Sequence, residues 1–369
     1  MRFKEFKSPW IRSSIEQISK VYDGTHQTPN YKKNGVKFVS VENINDLYSS
    51  KKFISVNDYE RNFKVKPTIN NILMTRIGDI GTPALISENE PLAYYVSLAL
   101  LKINKINPSF LYHYIQTQYF QKELWKRTLH VAFPKKINKN EIGECKVFYP
   151  NLIDEQAKIA IFLGCLEKRI VVQNKIIEYY ESLIKGIRER VVNGSWQWKK
   201  LDELIQEGIV RLNRGNIIPK HQKDNTYKYP VYSSSTQNNG LMGYNDTYMF
   251  DKELITWSID GGGNFFYRKK HKFNVTNVCG IMQVDENVYS YRFIAEMLKY
   301  QHLKMKFDYQ SKAHPSVISS LYLLPCLPIS EQNYYCQLFI DLDRKMQIEQ
   351  YYLYKLKEQK TYLLSKMFI

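Results

Sequence analysis

DEQAKIAIFLGCLEKRI, residues 154–170, and SEQNYYCQLFIDLDRKM, residues 330–346, lie 176 positions apart and read as two copies of one segment. Each follows a proline-bearing, strand-like run, VFYPNLIDEQ in the first copy and LLPCLPISEQ in the second. In the first copy the apolar residues Ile159, Leu163, Leu166, Ile170, Ile177, Tyr180, Ile184, Ile187 and Val191 alternate at spacings of four and three, and Gln173 fills the one polar slot. That spacing is a heptad seam. Adding 176 yields Tyr335, Phe339, Leu342, Met346, Glu349, Leu353, Leu356, Lys360, Leu363 and Met367, the same register without a slip. Asp154 and Ser330 sit where N-caps are expected, and the glutamates that follow complement the positive end of the helix dipole.

A single seam usually means only that a helix packs on something. Two matched seams say more. At 1.5 Å per residue each helix is roughly 57 Å long, too long to bury its stripe on an ordinary globular domain, so the two are expected to pack on each other. With a globular segment between them, an antiparallel pairing brings the helix centres together. Gln173 and Glu349 would then meet and fix the register, as single buried polar residues do in coiled coils.

The segments preceding the helices repeat as well. Trp10, Ile15 and Ile18 align with Trp196, Leu201 and Leu204, and ILMTRIGDIG (72–81) aligns with LITWSIDGGG (254–263), each an apolar strand running into a glycine turn. AYYVSLALLKI aligns with NVTNVCGIMQV, and SFLYHYIQTQYFQKELW with SYRFIAEMLKYQHLKMKF, which carries helical spacing. The expected fold is α/β, with an internal pseudo-two-fold repeat. Its parts are a first globular domain over 1–150, a long helix over 151–195, a second globular domain over 196–327 and a second long helix over 328–369.

At 369 residues the chain suits two or three domains, and 44% apolar with 24% charged residues is ordinary for a globular protein. Lys+Arg 53 against Asp+Glu 36 leaves +17, which favours a polyanionic partner over a merely basic, well-solvated surface. The longest apolar run, Leu92–Leu101, is too short to span a bilayer, and MRFKEFKSPW is not a secretory signal, so a cytoplasmic location without membrane attachment is expected. Five cysteines without a CxxC and seven histidines without an HExxH indicate neither a disulfide framework nor a zinc site; the cysteines read as buried thiols.

Catalytic motifs are missing. There is no phosphate loop, and the glycines at 78–81 and 261–263 read as turns, not as a dinucleotide fingerprint. Asn107-Pro108-Ser109 reads as a helix start, not as a base-gripping tetrapeptide, and Glu144-Cys145-Lys146 is too short a match for a nuclease metal site. No catalytic residue, metal site or cofactor site is assigned.

Positive charge is abundant in both globular segments. Lys32, Lys33 and Arg76 in the first, and Arg268 and Lys269 in the second, are candidates for neutralising phosphates. Tyr232, Ser233, Ser234, Gln237 and Asn238 add hydroxyls and amides, and amides can read adenine in the major groove, although such residues are equally ordinary in loops.

The doubled plan resembles the specificity subunit of type I restriction-modification systems. The resemblance rests on the two helix openings quoted above, on ILMTRIGDIGTPALI, on YPVYSSSTQNNGLMGYND and on TNVCGI, and on the duplicated order in which such segments occur. It implies two target recognition domains, each reading one half of a bipartite site in double-stranded DNA, held apart by an antiparallel coiled coil. It also implies two methyltransferase subunits docked on the coil, and a restriction and translocase subunit that joins later. S-adenosylmethionine, magnesium and ATP would belong to those partners, and this chain would be non-catalytic. The helix interface would comprise Leu163, Leu166, Ile170, Gln173 and Ile177 against Phe339, Leu342, Met346, Glu349 and Leu353. Gly164, Gly186 and Lys360 depart from an ideal seam. The competing readings are a methyltransferase or nuclease acting alone, and a coiled-coil scaffold without nucleic acid.

Overall fold

The computed structural model describes residues 2–218, 228–235, 237–260, 262–305 and 312–368, so Gly261 of the second glycine turn lies outside the described residues. The chain divides into two compact units, one of residues 1–174 with 351–369, the other of residues 175–350.

In the first unit β1 (Trp10–Ser14), α1 (Ile15–Ile18), β2 (Ser19–Asp23), β3 (Val36–Val39), β4 (Phe53–Ile54) and α2 (Val56–Asn62) lead to the hairpin β5 (Ile72–Ile77) and β6 (Asp79–Leu85). Then come β7 (Leu92–Tyr94), β8 (Leu98–Ile103), α3 (Pro108–Ile115), α4 (Gln118–Arg127), α5 (Lys139–Glu144) and β9 (Lys146–Pro150), and the long helix α6 runs from Ile153 to Val192, its residues from Lys175 on belonging to the second unit. The main sheet has the order β2-β8-β5-β6; β4-β3-β7 form a second sheet, and β1 pairs with β9. The β5–β6 turn needs Gly78, whose φ of 81° is a left-handed value that side chains disfavour.

The second unit repeats the plan. β10 (Trp198–Lys200), α7 (Leu201–Gln206), β11 (Val210–Arg214), β12 (Tyr229–Tyr232), β13 (Leu241–Asn245), β14 (Phe250–Ser258), β15 (Phe265–Val275) and β16 (Cys279–Val284) precede α8 (Tyr291–Lys304), α9 (Pro315–Leu321), β17 (Leu323–Pro325) and the second long helix, α10 (Ile329–Met367). Its sheet runs β11-β16-β14-β15 and continues into β12-β13, because β15 is one long strand where the first unit breaks between β6 and β7. The parallel pairing survives that difference: β3 lies beside β7, and β12 beside the end of β15.

Two pairs of matched residues show how deep the repeat goes. A Cβ on Gly24 would collide with the carbonyls of Tyr94 and Tyr95, and one on Gly215 with those of Val275 and Thr276. The amides that follow, Thr25 and Asn216, donate to Tyr94 (3.1 Å) and Val275 (3.0 Å). Gln156 and Gln332, both buried, latch each globular head to its own long helix. Gln156 Oε1 accepts from the amide of Asn107, the N-cap of α3 (2.7 Å), and Gln332 Oε1 from the amide of Ser290, the N-cap of α8 (3.0 Å). Their Nε2 groups donate to Pro150 (2.7 Å) and Leu327 (2.9 Å).

All ten seam positions of each long helix are buried or half-buried, whereas Ile161, Phe162, Val171 and Tyr351 beside them are exposed. In the first unit Ile159, Leu163 and Leu166 share one core with Leu363 and Met367. In the second, Ile184 and Val191 share another with Cys336 and Phe339, flanked by Leu342 and Met346. Ile170, Gln173, Glu349 and Leu353 are half-buried and Ile177 is buried.

Three expectations need adjusting. The amides of Gln156 and Gln332 donate to the carbonyls of Leu152 and Pro328 (3.3 and 3.1 Å), so Asp154 and Ser330 lie inside the first turn and are not caps, and it is Asp154, Glu155 and Glu331 whose carboxylates complement the helix dipole. Cys165 is exposed on the outer face of α6, while Cys145, Cys279 and Cys336 are buried. Lys360 is no flaw in the seam: its Nζ reaches Glu167 at 2.6 Å and Gln116 Oε1 at 2.7 Å. Gly164 and Gly186 sit within α6 without breaking it.

Candidate nucleic-acid interface

In the second unit the loop after β12 returns tightly into β13. The Ser233 amide donates to the Gly240 carbonyl (2.8 Å), Thr276 Oγ1 donates to Ser233 Oγ (3.0 Å), and Ser258 Oγ donates to the Ser234 carbonyl (2.6 Å). Asn238, Asn239 and Gly240 follow one another at φ 48°, 51° and 79°. Asparagine tolerates the left-handed region better than other non-glycine residues, so the turn is built from the residue types it demands. The result pushes Gln237, Asn238 and Asn239 out into solvent on a pinned base.

Beneath this loop Arg268, on β15, is only 4% exposed. Its guanidinium carbon lies 3.6 Å from the centroid of the Tyr232 ring, and Nε donates to Thr256 Oγ1 at 2.9 Å. Burial lowers its pKa to about 10, which still leaves it charged, and its Nη2 has no hydrogen-bond partner among the described residues. The Tyr232 hydroxyl meets His271 Nε2 at 3.1 Å. Arg268 and Tyr232 thus form the floor of a cleft of about 1000 Å³, walled by Asn239, Lys269 and Lys270 and, from α10, Arg344. Lys269 and Lys270 point into solvent.

In the first unit Lys32 and Lys33 are exposed, on a loop fixed by the Lys32 amide donating to the Phe53 carbonyl (2.8 Å). Arg76 is placed differently from Lys32 and Lys33. It is 6% exposed at the end of β5, ion-paired with Asp23, and its Nε donates to the Ile137 carbonyl (3.1 Å). Burial lowers its pKa, and its guanidinium ties strand to loop inside the head. The candidates therefore do not converge on one spot. Tyr232, Ser233, Ser234, Gln237, Asn238, Arg268 and Lys269 gather around one loop and cleft; Lys32 and Lys33 lie in the other unit; Arg76 is internal. The cleft also takes in Asn239, third in the Gln237-Asn238-Asn239 run, and Arg344, which lies on a helix that only the fold brings to the cleft.

Where each head meets its long helix there is a polar cluster. In the first unit Tyr112 Oη donates to Glu167 (3.4 Å), and buried His113 holds Nδ1 3.7 Å from the same carboxylate. Burial is the main force on His113 and pushes its pKa down to about 4, with Lys360 adding to the effect against the opposing Glu167. In the second unit the matching place is taken by Glu296, 1% exposed and held by Arg188 Nε (3.0 Å), Arg292 (3.2 Å) and Lys299 (3.3 Å). Burial alone would raise the Glu296 pKa, but Lys299, Arg292 and Arg188 outweigh it and hold the carboxyl below its usual range. Arg292 also pairs with Asp343 of α10.

Among the described residues no group of three or more His, Cys, Asp or Glu side chains could hold a metal ion, and no helix is long and apolar enough to cross a membrane.

Residues 7–179 and 193–321 match the family model of the type I restriction modification DNA specificity domain, one match for each repeat. The chain belongs to this family. Among curated relatives, a Mycoplasma pneumoniae chain named as a type I specificity subunit is 40% identical over 100 residues, covering 26% of this chain and 32% of the relative. The specificity subunit of the M. pneumoniae type I restriction enzyme MpnII is 30% identical over 128 residues, covering 34% and 39%. The aligned segments thus span about a third of these relatives' own length. The crystal structure of a type I restriction-modification S subunit from M. genitalium superposes with a TM-score of 0.68 at 17% identity, covering 100% of this chain and 99% of that one. A second solved chain, from work on assembly and conformational transition of the type I system, gives 0.55 at 12% identity over 97% and 98%. These two likenesses show that the fold of the family's S subunits is shared along the whole chain.

Proposed function

We propose that this specificity-family chain recognises a bipartite site in double-stranded DNA, each head reading one half. In this reading α6 and α10 form an antiparallel coiled coil that sets the spacer, and two methyltransferase subunits dock on it. The chain itself carries no chemistry. S-adenosylmethionine, magnesium and ATP act in the methyltransferase and translocase partners.

The observation that carries the proposal is the duplication of the whole head-plus-helix unit, down to Gly24 and Gly215 behind the sheets and Gln156 and Gln332 at the latches. Two like heads in one chain can meet two DNA half-sites in the way that two protomers of a dimeric repressor do. Seam burial on both helices and the family match support the same arrangement. In the second head the pinned Gln237-Asn238-Asn239 loop offers amides for base edges, and Lys269 and Lys270 offer charge for phosphates. Lys32 and Lys33 offer charge in the first.

The test is methylation mapping in cells whose modification depends on this chain. Gln237→Ala with Asn238→Ala should relax one half of the methylated sequence and leave the other intact, each lost bidentate contact being worth about 1–3 kcal/mol of discrimination. Loss of both halves together, or an unchanged pattern, would contradict division of labour between the heads. A scaffold without nucleic acid would leave the methylated sites unchanged in every variant, and an enzyme acting alone would methylate or cut DNA without partner subunits.

A further inference from the structure

The most exposed large apolar side chains among the described residues lie together in the first head. Val131 is 99% exposed and Phe133 103%, on the loop between α4 and α5. Water around two bare apolar tips is unfavourable, and a chain keeps such tips where something else covers them.

The base of this loop is held firmly. The Leu129 amide donates to the Lys136 carbonyl (2.8 Å), the Gly78 amide to the Lys135 carbonyl (2.8 Å), and the Ile137 amide to the Arg76 carbonyl (3.0 Å). On the outside the Trp125 and His130 rings meet tilted at 56°, with centroids 4.2 Å apart, and Lys135 Nζ lies 4.7 Å from the centroid of the Trp125 ring. The tips therefore project from a fixed stem attached to the β5–β6 turn, so little ordering cost is left for binding.

Charge selects the occupant. Of the cations between Lys126 and Asn140, Lys126 pairs with Glu123 and Arg127 with Glu141, so the positive charge beside the tips is that of Lys135, Lys136 and Lys139. An apolar point set in positive charge fits a partner with an anionic exterior and an apolar, stacked interior, which is duplex nucleic acid. Resting on the recognition function proposed above, we infer that loop 129–136 is a DNA wedge: Phe133 and Val131 enter and partly unstack one base step of the first head's half-site while Lys135 and Lys136 hold the flanking phosphates. Apolar side chains inserted in this way kink duplexes and raise the contact area of the protein. Sequence-dependent ease of unstacking would then contribute to the specificity of this head.

The experiment uses the full chain assembled with the methyltransferase subunits of its own system, and duplexes bearing the mapped site with 2-aminopurine placed in turn at each position of the first half-site. A wedge predicts a fluorescence rise at one step with the wild-type chain, abolished in Val131→Ala/Phe133→Ala together with about a ten- to hundredfold loss of affinity. Lys135→Gln and Lys136→Gln should each lower the log-log salt slope by about one while the fluorescence rise persists. Tight binding with no fluorescence change at any position would overturn the wedge. So would a double variant that binds the duplex normally but releases its methyltransferase subunits on size exclusion, since the tips would then cover a protein surface. A wild-type assembly that fails to bind the mapped duplex would instead sink the recognition function, and the wedge with it.

Discussion

The two junctions between head and long helix share their geometry and differ in their charges. Gln156 and Gln332 make the same latch to the N-cap amide of the head's helix, at 2.7 and 3.0 Å. Beside the latch the first unit places neutral His113 against Glu167 and Lys360, whereas the second places Glu296 among Arg188, Arg292 and Lys299. Duplication has kept the hydrogen bonds that fix position, because a buried amide left without a partner is costly at any such site. The ion pairs have been rewired. Each head carries its own polar set beside its stretch of helix.

This contrast makes unequal mutational effects the expectation. Glu296→Gln removes a buried carboxylate from three cations and leaves Arg188 without its carboxylate partner, while Arg292 keeps Asp343, at a cost of about 3–5 kcal/mol. Glu167→Gln, at a carboxylate 22% exposed, should cost about 1 kcal/mol. Chemical unfolding of the two variants beside the wild type would measure the difference; equal losses would mean the rewiring has no energetic content.

A smaller effect follows from His113. Its folded pKa of about 4 lies below the unfolded value near 6.5, so in acid the unfolded chain takes up a proton that the folded chain refuses. The stability associated with keeping His113 neutral is therefore present above pH 6.5 and is lost as pH falls towards 4. His113→Asn should flatten the stability profile of the first unit between those values and leave the second unit, where Glu296 takes the matching place, unaffected. A profile as steep as the wild type's would assign the pH dependence to other groups.

Much of the architecture was legible in sequence because a repeat exposes its own period. The heptad spacing marked both long helices, which begin at Ile153 and Ile329 where 151 and 328 were expected, and Asn107-Pro108 marked the start of α3. The limits were equally physical. Charge alone does not tell a surface arginine from an internal one: Arg76 pairs with Asp23, 53 residues earlier, a contact that only the β2-β8-β5 order brings about. Lys360 looked like a break in the seam because its partners, Glu167 and Gln116, lie far earlier in the chain. The stacked pair of Arg268 and Tyr232 likewise depends on β12 lying next to β15.

The central claim is that the two heads read DNA at a separation fixed by the helices. Seven residues inserted after Gln173 and seven after Glu349 keep both seams in phase and lengthen the pair by roughly 10 Å at 1.5 Å per residue. That equals about three base pairs at 3.4 Å each. Genome-wide methylation mapping with the doubly extended chain should find both half-sequences unchanged and the spacer between them about three base pairs longer. Retention of the original spacer would contradict the account, and would assign the positioning of the heads to the partner subunits.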